Sequence, residues 1–496
     1  MAINSIGYGS TVFGQSVRNL NDQLTTLSAQ LTTGKKAATY AGMGVNEGFA
    51  IAARAQLSNI SAFTDTMTKI NTTISVANTA LQALVDIGGQ VQNAAGASSQ
   101  ALNSSGQTIA QQNAASQLGS MLGILNTQSG DRYVFSGGAI DTPAVTDADT
   151  LLNGSGAQAG LKQVISERQQ ADLGSGLGRL TISAPATMPI SIAEQTPATV
   201  FGFKLNSVSS SLTGATVTGP TGSPAAVSIN LGANPNSGEQ ISLKFDLPDG
   251  STETIQLTAS NAVPTPANGF TIGATPAATS ANLNAALSSA IGTLANTALV
   301  AASAVAATSD FFADPPQRVA GTPLATATAL TSGTAANTVS WYTGENGAGS
   351  ARASSIARID QSVTVQYGAR ATEQGIRNQL QSVAVLAAVT STGPNAAAQV
   401  AALSQRVTQN LTPQPGQQTI QDIQADFSIA QNTMKDATAR QKQTQSMLQN
   451  IVDGAESVSP DQVASQILAL QTALQASYQT TAMLSQLSLT KFLPIA

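Results

Sequence analysis

Two carboxylates at a predicted turn are the best candidates in the sequence for a catalytic or metal-binding site. Asp246 and Asp249 flank Leu247-Pro248, and Gly250 follows Asp249. Such a pair could serve as an acid pair or as calcium ligands, because both uses need carboxylate oxygens close together. The Pro-Asp-Gly sequence favours a solvated hairpin tip instead. We therefore predict no catalytic, cofactor-binding or metal site.

The absence of two residue types excludes several classes of enzyme. The chain contains no histidine and no cysteine. A serine–histidine–aspartate triad, thiol catalysis, disulfides and thiolate metal sites are therefore excluded. Since no other constellation of acids, bases or nucleophiles is found, we expect a protein that is not an enzyme and uses no cofactor.

The composition favours self-association. Hydrophobic residues make up 42% of the 496 residues, but only 9% are charged and 4% are aromatic. A weakly charged surface lowers repulsion between copies. The net charge of −5 argues against nucleic acid as a partner.

Neither a secretory signal nor a membrane span is predicted. The first ten residues lack a basic region followed by an apolar one. No continuous apolar run reaches about 18 residues, so we expect no membrane insertion.

An apolar seam near each end of the chain is the strongest pattern. Apolar residues recur there at steps of three and four, a period of about 3.5 that is typical of helices packed along other helices. We call these residues the assembly seam: Phe13, Val17, Leu20, Leu24, Leu27, Leu31, Val463, Ile467, Leu470, Leu474 and Leu484. We infer that the two ends pair with each other. The alternative is that both are ordinary bundle helices of one compact domain.

The sequence between the two seams predicts longer helices and a middle segment of different composition. A proline-free helical pattern covers 49–87, and a heptad-like pattern at 420–451 is its natural partner. The middle, 181–349, holds 13 of the 19 prolines, with eight acidic and three basic residues. There the alternation in 241–247 predicts a half-buried strand and 281–306 a helix.

These patterns predict a mainly α fold. The expected architecture is a nested antiparallel long-helix coiled-coil bundle formed by both termini, with short β-hairpins and an inserted α+β outer domain. The predicted domains are a terminal helical domain (1–38 and 456–496), a long-helix rod (39–180 and 350–455) and a β-rich insertion (181–349).

Both ends resemble the bacterial flagellins and the related hook–filament junction protein. Leu24, Leu27, Ser28, Leu31 and the Thr33-Gly34 pair look like the end of the first helix of that family. Residues 466–468, 473–476 and 484–489 look like its closing helix, and Arg54 stands where the family usually has an arginine. The resemblance covers about 1–140 and 355–496, but not the middle.

The resemblance implies a structural subunit that assembles with itself into the flagellar filament for swimming motility. It also implies hook-associated and cap proteins and an export chaperone as partners. The location would be extracellular, in the flagellum, after type III export without a cleaved signal peptide. The alternative is the junction protein that links hook to filament. The segments 131–143 and 341–345 look more like that protein, whereas the large insertion favours the filament.

Overall fold

A computed structural model describes residues 4–97, 101–185 and 187–490. About 53% of the chain is helical and 16% is in strands. The described helices are α1 (Asn4–Thr33), α2 (Glu47–Gly96), α3 (Ile109–Leu125), α4 (Ala148–Asn153), α5 (Leu161–Leu173), α6 (Pro276–Leu294), α7 (Val300–Phe311), α8 (Gln374–Ala388), α9 (Ala396–Leu411), α10 (Ile420–Glu456) and α11 (Pro460–Thr490).

The described strands form two four-stranded sheets and three two-stranded ones. They are β1 (Gln128–Ser129), β2 (Arg132–Tyr133), β3 (Leu180–Ile182), β4 (Ile190–Glu194), β5 (Lys204–Ser210), β6 (Ala215–Thr221), β7 (Ala226–Leu231), β8 (Gln240–Asp246), β9 (Thr252–Ser260), β10 (Gly269–Thr271), β11 (Gln317–Ala320), β12 (Ala329–Ser332), β13 (Ile356–Arg358) and β14 (Thr364–Gln366). The larger sheets have the orders β10-β9-β8-β5 and β3-β4-β7-β6. In them only β9 and β10 pair in parallel.

The chain divides into two compact units. The first contains Met1–Lys69, Arg358–Val365 and Gln431–Ala496, and the second contains Ile70–Ala357 and Gln366–Ala430. The predicted domain boundaries stay a prediction. Both ends of the predicted insertion, 181 and 349, lie within the second unit.

Local sequence explains where several elements of the second unit begin. A capping box starts α3, because the amide of Gln111 donates to the hydroxyl of Thr108 (3.2 Å) and the amide of Thr108 donates to Gln111 Oε1 (2.9 Å). The Thr275 hydroxyl caps α6 by accepting from the Ala278 amide at 3.2 Å, and Pro276 occupies the first turn, where no amide hydrogen is needed.

The hairpin predicted around Pro248 is confirmed. β8 and β9 pair antiparallel up to Asp246 and Thr252. Every second residue of β8 is buried, as its alternating sequence requires, and these side chains pack with Leu283 and Leu287 of α6. The sheet and the helix therefore share one hydrophobic core.

One described stretch, Pro276–Phe311, is long and apolar enough to cross a membrane by length and composition. The expectation of no membrane insertion stays a prediction. Of its most apolar part, 56% is buried within the fold, so its hydropathy also fits a core helix.

The predicted nested coiled-coil bundle is wrong. The described residues form eleven helices and several small sheets, and no long-helix coiled-coil bundle is made by both termini. A period of 3.5 identifies the apolar face of a helix, but it does not identify what covers that face. The N-terminal seam is also too exposed for a bundle core: Leu24 and Leu27 are half-buried, and Leu31 is 42% exposed.

The expectation of a solvated hairpin tip is wrong for Asp249. Its side chain is only 4% exposed, and it forms an ion pair with Arg406 of α9. Asp246 is half-buried and accepts a hydrogen bond from the Asn206 amide at 2.8 Å. The two carboxylates thus have separate partners and do not form an acid pair.

Candidate functional site: the paired terminal helices

The described seam residues lie on two helices that contact each other in the first unit. On α1, Val17, Leu20, Leu24 and Leu27 are half-buried. On α11, Val463 and Leu474 are 3% and 6% exposed, and Ile467 and Leu470 are half-buried. The side chains of Phe13 and Leu484 lie outside the described residues. The role of these residues in assembly stays a prediction.

A backbone joint fixes the end of α1 beside the start of α11. Gly34 has a φ of +66°, a conformation that glycine adopts readily, and its amide donates to the Gln30 carbonyl at 2.8 Å. Its own carbonyl accepts from the Val458 amide at 3.0 Å, and the Lys36 amide donates to the Glu456 carbonyl at 2.7 Å. These hydrogen bonds hold the segment after α1 against the segment between α10 and α11.

An ion pair reinforces this joint from α2. Arg54 donates from Nε and Nη2 to the two carboxylate oxygens of Glu456, at 2.6 and 2.7 Å. These hydrogen bonds lower the pKa of Glu456 and raise that of Arg54. The forked guanidinium matches both carboxylate oxygens at once, and this fixes the orientation of the pair.

The surface of the helix pair carries few charges and several exposed apolar side chains. Three charged residues, Arg18, Asp22 and Asp461, are the only ones in α1 and α11. Five large apolar side chains are between 42% and 65% exposed on these helices: Val12, Leu31, Leu468, Tyr478 and Met483. A groove of about 590 Å³ also runs between the helices and is lined by Leu27 and Leu470.

One buried arginine of the second unit binds two carboxylates. Arg168 donates from Nε to Asp172 (2.9 Å) and from Nη1 to Asp310 (2.6 Å). Burial raises the pKa of both carboxyls, although the arginine charge opposes the shift. In the described part of the chain, no three acidic side chains come together as a possible metal site.

Sequence reasoning missed the partners that hold the site together. No local pattern marks Glu456 as the partner of Arg54, which is 402 residues away. The sequence around Gly34 predicts the end of a helix, but not its hydrogen bonds to the segment before α11. The spacing of charges carries no signal for contacts at such separations.

Comparison of the chain with models of protein families, with curated proteins and with solved structures gives no match.

Proposed function

We propose that this chain is a structural subunit that assembles with copies of itself, and that the assembly is the bacterial flagellar filament. One observation carries the proposal: α1 and α11 expose large apolar side chains, and only three of their residues are charged. Single exposed apolar residues are ordinary, but five of them on two almost uncharged helices favour burial against another surface. The resemblance of both ends to flagellins supports a second copy as that surface.

The same proposal includes a location and partners. The subunit would work outside the cell as part of the flagellum, after export without a cleaved signal. It would meet hook-associated and cap proteins there and an export chaperone before it leaves the cell. These partners rest on the resemblance of the two ends alone. In this account the protein has a mechanical role in motility and catalyses no reaction.

Assembly of the purified chain tests the proposal. Electron microscopy and sedimentation should detect ordered polymers that form above a threshold concentration and contain this chain alone. Leu470→Asp should stay monomeric, because a carboxylate cannot be buried unpaired without a large cost. A wild-type chain that stays monomeric at every concentration, with and without short filament seeds, would refute self-assembly.

The hook–filament junction is a second candidate, and one observation favours it. The two segments that resemble the junction protein contact each other. The Glu345 amide donates to the Ser136 carbonyl at 2.9 Å, and the Gly138 amide donates to the Glu345 carboxylate at 2.7 Å. Antibody labelling separates the candidates: a filament subunit is labelled along the whole length, whereas a junction protein is labelled only beside the hook.

A further inference from the structure

The second unit contains a polar cleft that the proposed function does not use. Its volume is about 410 Å³. Asp310 of α7, Gln381 of α8, Asn410 of α9 and the turn at Asp249 line it. An adjoining cavity of about 250 Å³ shares Asn410 and other amide residues with it. The combined space falls in the range of small-molecule sites.

The polar cleft has hydrogen-bonding groups that the protein leaves unused. Within the described part of the chain, the amides of Gln381 and Asn410 bond to no other residue. Asp310 accepts from Arg168 through Oδ2 only, so its Oδ1 has no protein donor. The Oε1 of Gln417 accepts from the Asn378 amide at 3.0 Å, which leaves the NH₂ group of Gln417 available. Both donors and acceptors therefore line one space.

The charges beside the cleft disfavour an acidic ligand. Asp249 shares Arg406 with Glu253, and Asp310 shares Arg168 with Asp172. Carboxylates therefore outnumber guanidinium groups there, and the fitting ligand carries no acidic group. Val305, Leu330 and Val385 add apolar surface between the polar groups. This combination suits a molecule with many hydroxyl groups and C–H faces, because each hydroxyl both donates and accepts.

A peptide fits this cleft less well. Extended peptides bind along exposed strand edges, where backbone groups are free to pair. In the polar cleft the β8–β9 hairpin contributes only its turn, at Pro248 and Asp249. Leu330 of β12 is the one other strand residue of the described lining, and the rest comes from helices and from the loop after α9.

We propose that the polar cleft binds a saccharide of one or two rings that carries no acidic group. The amides of Gln381, Asn410 and Gln417 and the free oxygen of Asp310 would bind its hydroxyl groups. This inference does not depend on the proposed assembly. If the chain also polymerises, each copy carries one cleft, and repetition along a polymer raises the avidity for a multivalent glycan.

Calorimetric titration of the full-length chain tests this binding. The probes are glucose, galactose, N-acetylglucosamine and their disaccharides, with glucuronate as an acidic comparator that has the ring of glucose. At least one neutral sugar should bind with a dissociation constant below about 1 mM, and glucuronate should bind more weakly than that sugar.

Substitutions locate the site. Gln381→Leu should weaken binding about tenfold, because a set of amide hydrogen bonds is lost. The matched control is Gln405→Leu on the exposed side of α9, which should bind like the wild type. Asn410→Asp keeps the size of the side chain and adds a negative charge, so it should shift the preference from glucose towards glucosamine. Fluorescence of Trp341, which is buried in the same unit, checks that each variant is folded.

Three results would overturn the inference. The first is that no neutral sugar binds below about 1 mM. The second is that glucuronate binds the wild type at least as tightly as the tightest-binding neutral sugar does. The third is that a folded Gln381→Leu variant binds with wild-type affinity.

Discussion

Arg406 and Asp249, which are 157 residues apart in the chain, form a buried ion pair. The Nε atom of Arg406 lies 2.8 Å from Oδ2 of Asp249, and the two side chains are 6% and 4% exposed. Arg406 also donates from Nη2 to Glu253 at 3.2 Å. The pair ties the tip of the β8–β9 hairpin to α9. Removal of 181–349 would therefore leave Arg406 buried without its carboxylates.

This relationship predicts a large loss of stability in Arg406→Met. Asp249 would stay buried without its cation, and breaking such a pair costs about 3–5 kcal/mol. The free energy of unfolding can be measured by urea titration with the fluorescence of Trp341 as the probe. The matched control is Lys162→Met, an exposed position in the same unit, which should change that free energy by less than about 0.5 kcal/mol. Equal effects of the two substitutions would contradict the assignment.

The decrease in the free energy of unfolding at low pH should depend on Glu239. Hydrogen bonds from Thr213 and Asn236 lower its pKa from 4.5 to about 2. Below pH 4.5 the unfolded chain therefore binds a proton that the folded chain does not, and stability falls as the pH falls towards 2. Glu239→Gln should flatten this part of the curve, measured by the fluorescence of Trp341. An unchanged slope between wild type and variant would show that these hydrogen bonds do not hold the carboxylate in its ionised form.

Two glycines of the N-terminal region should respond to alanine in opposite directions. Gly34→Ala places a side chain at a φ of +66°, which costs about 1–2 kcal/mol even though the space around it is open. Gly14 lies inside α1 with only Arg18 within 4.0 Å of an added methyl group, so Gly14→Ala should gain about 1 kcal/mol of helix propensity. Hydrogen exchange of the α1 amides should speed up in the first variant and slow down in the second. Exchange that changes in the same direction in both would contradict the joint at Gly34.

Charged substitutions in the assembly seam should prevent polymerisation. Leu24→Asp puts a carboxylate on the half-buried side of α1, where an unpaired charge costs several kcal/mol. Leu24→Met keeps an apolar side chain of similar volume and should still assemble. Sedimentation measures the polymer fraction, and the fluorescence of Trp341 should show that the second unit is folded in both. Normal polymers of the aspartate variant would refute the role of the seam.

Features that depend on neighbours in the sequence were predictable. The periodic stretch 49–87 predicted a long helix, and α2 (Glu47–Gly96) contains it. The alternation in 241–247 and the Pro-Asp-Gly turn predicted the β8–β9 hairpin. In each case the signal is local, because it lies in the repeat of apolar residues or in turn chemistry.

Contacts between distant residues were not predictable. Arg406 and Asp249, like Arg54 and Glu456, are partners only because the fold brings them together. For the same reason the seam spacing gave the apolar faces of α1 and α11, whereas the nested bundle inferred from it was wrong. The amides of the polar cleft come from separate helices and a loop, and no spacing in the sequence marks them as one group.

The most direct test of self-assembly in a flagellum is the composition of filaments sheared from cells that produce this chain. The filaments are separated on a denaturing gel, and each band is identified by mass spectrometry. The account predicts that this chain is the dominant band. A trace amount that stays with the hook would replace the filament role by the junction role. Absence of the chain from both filament and hook would contradict the central claim.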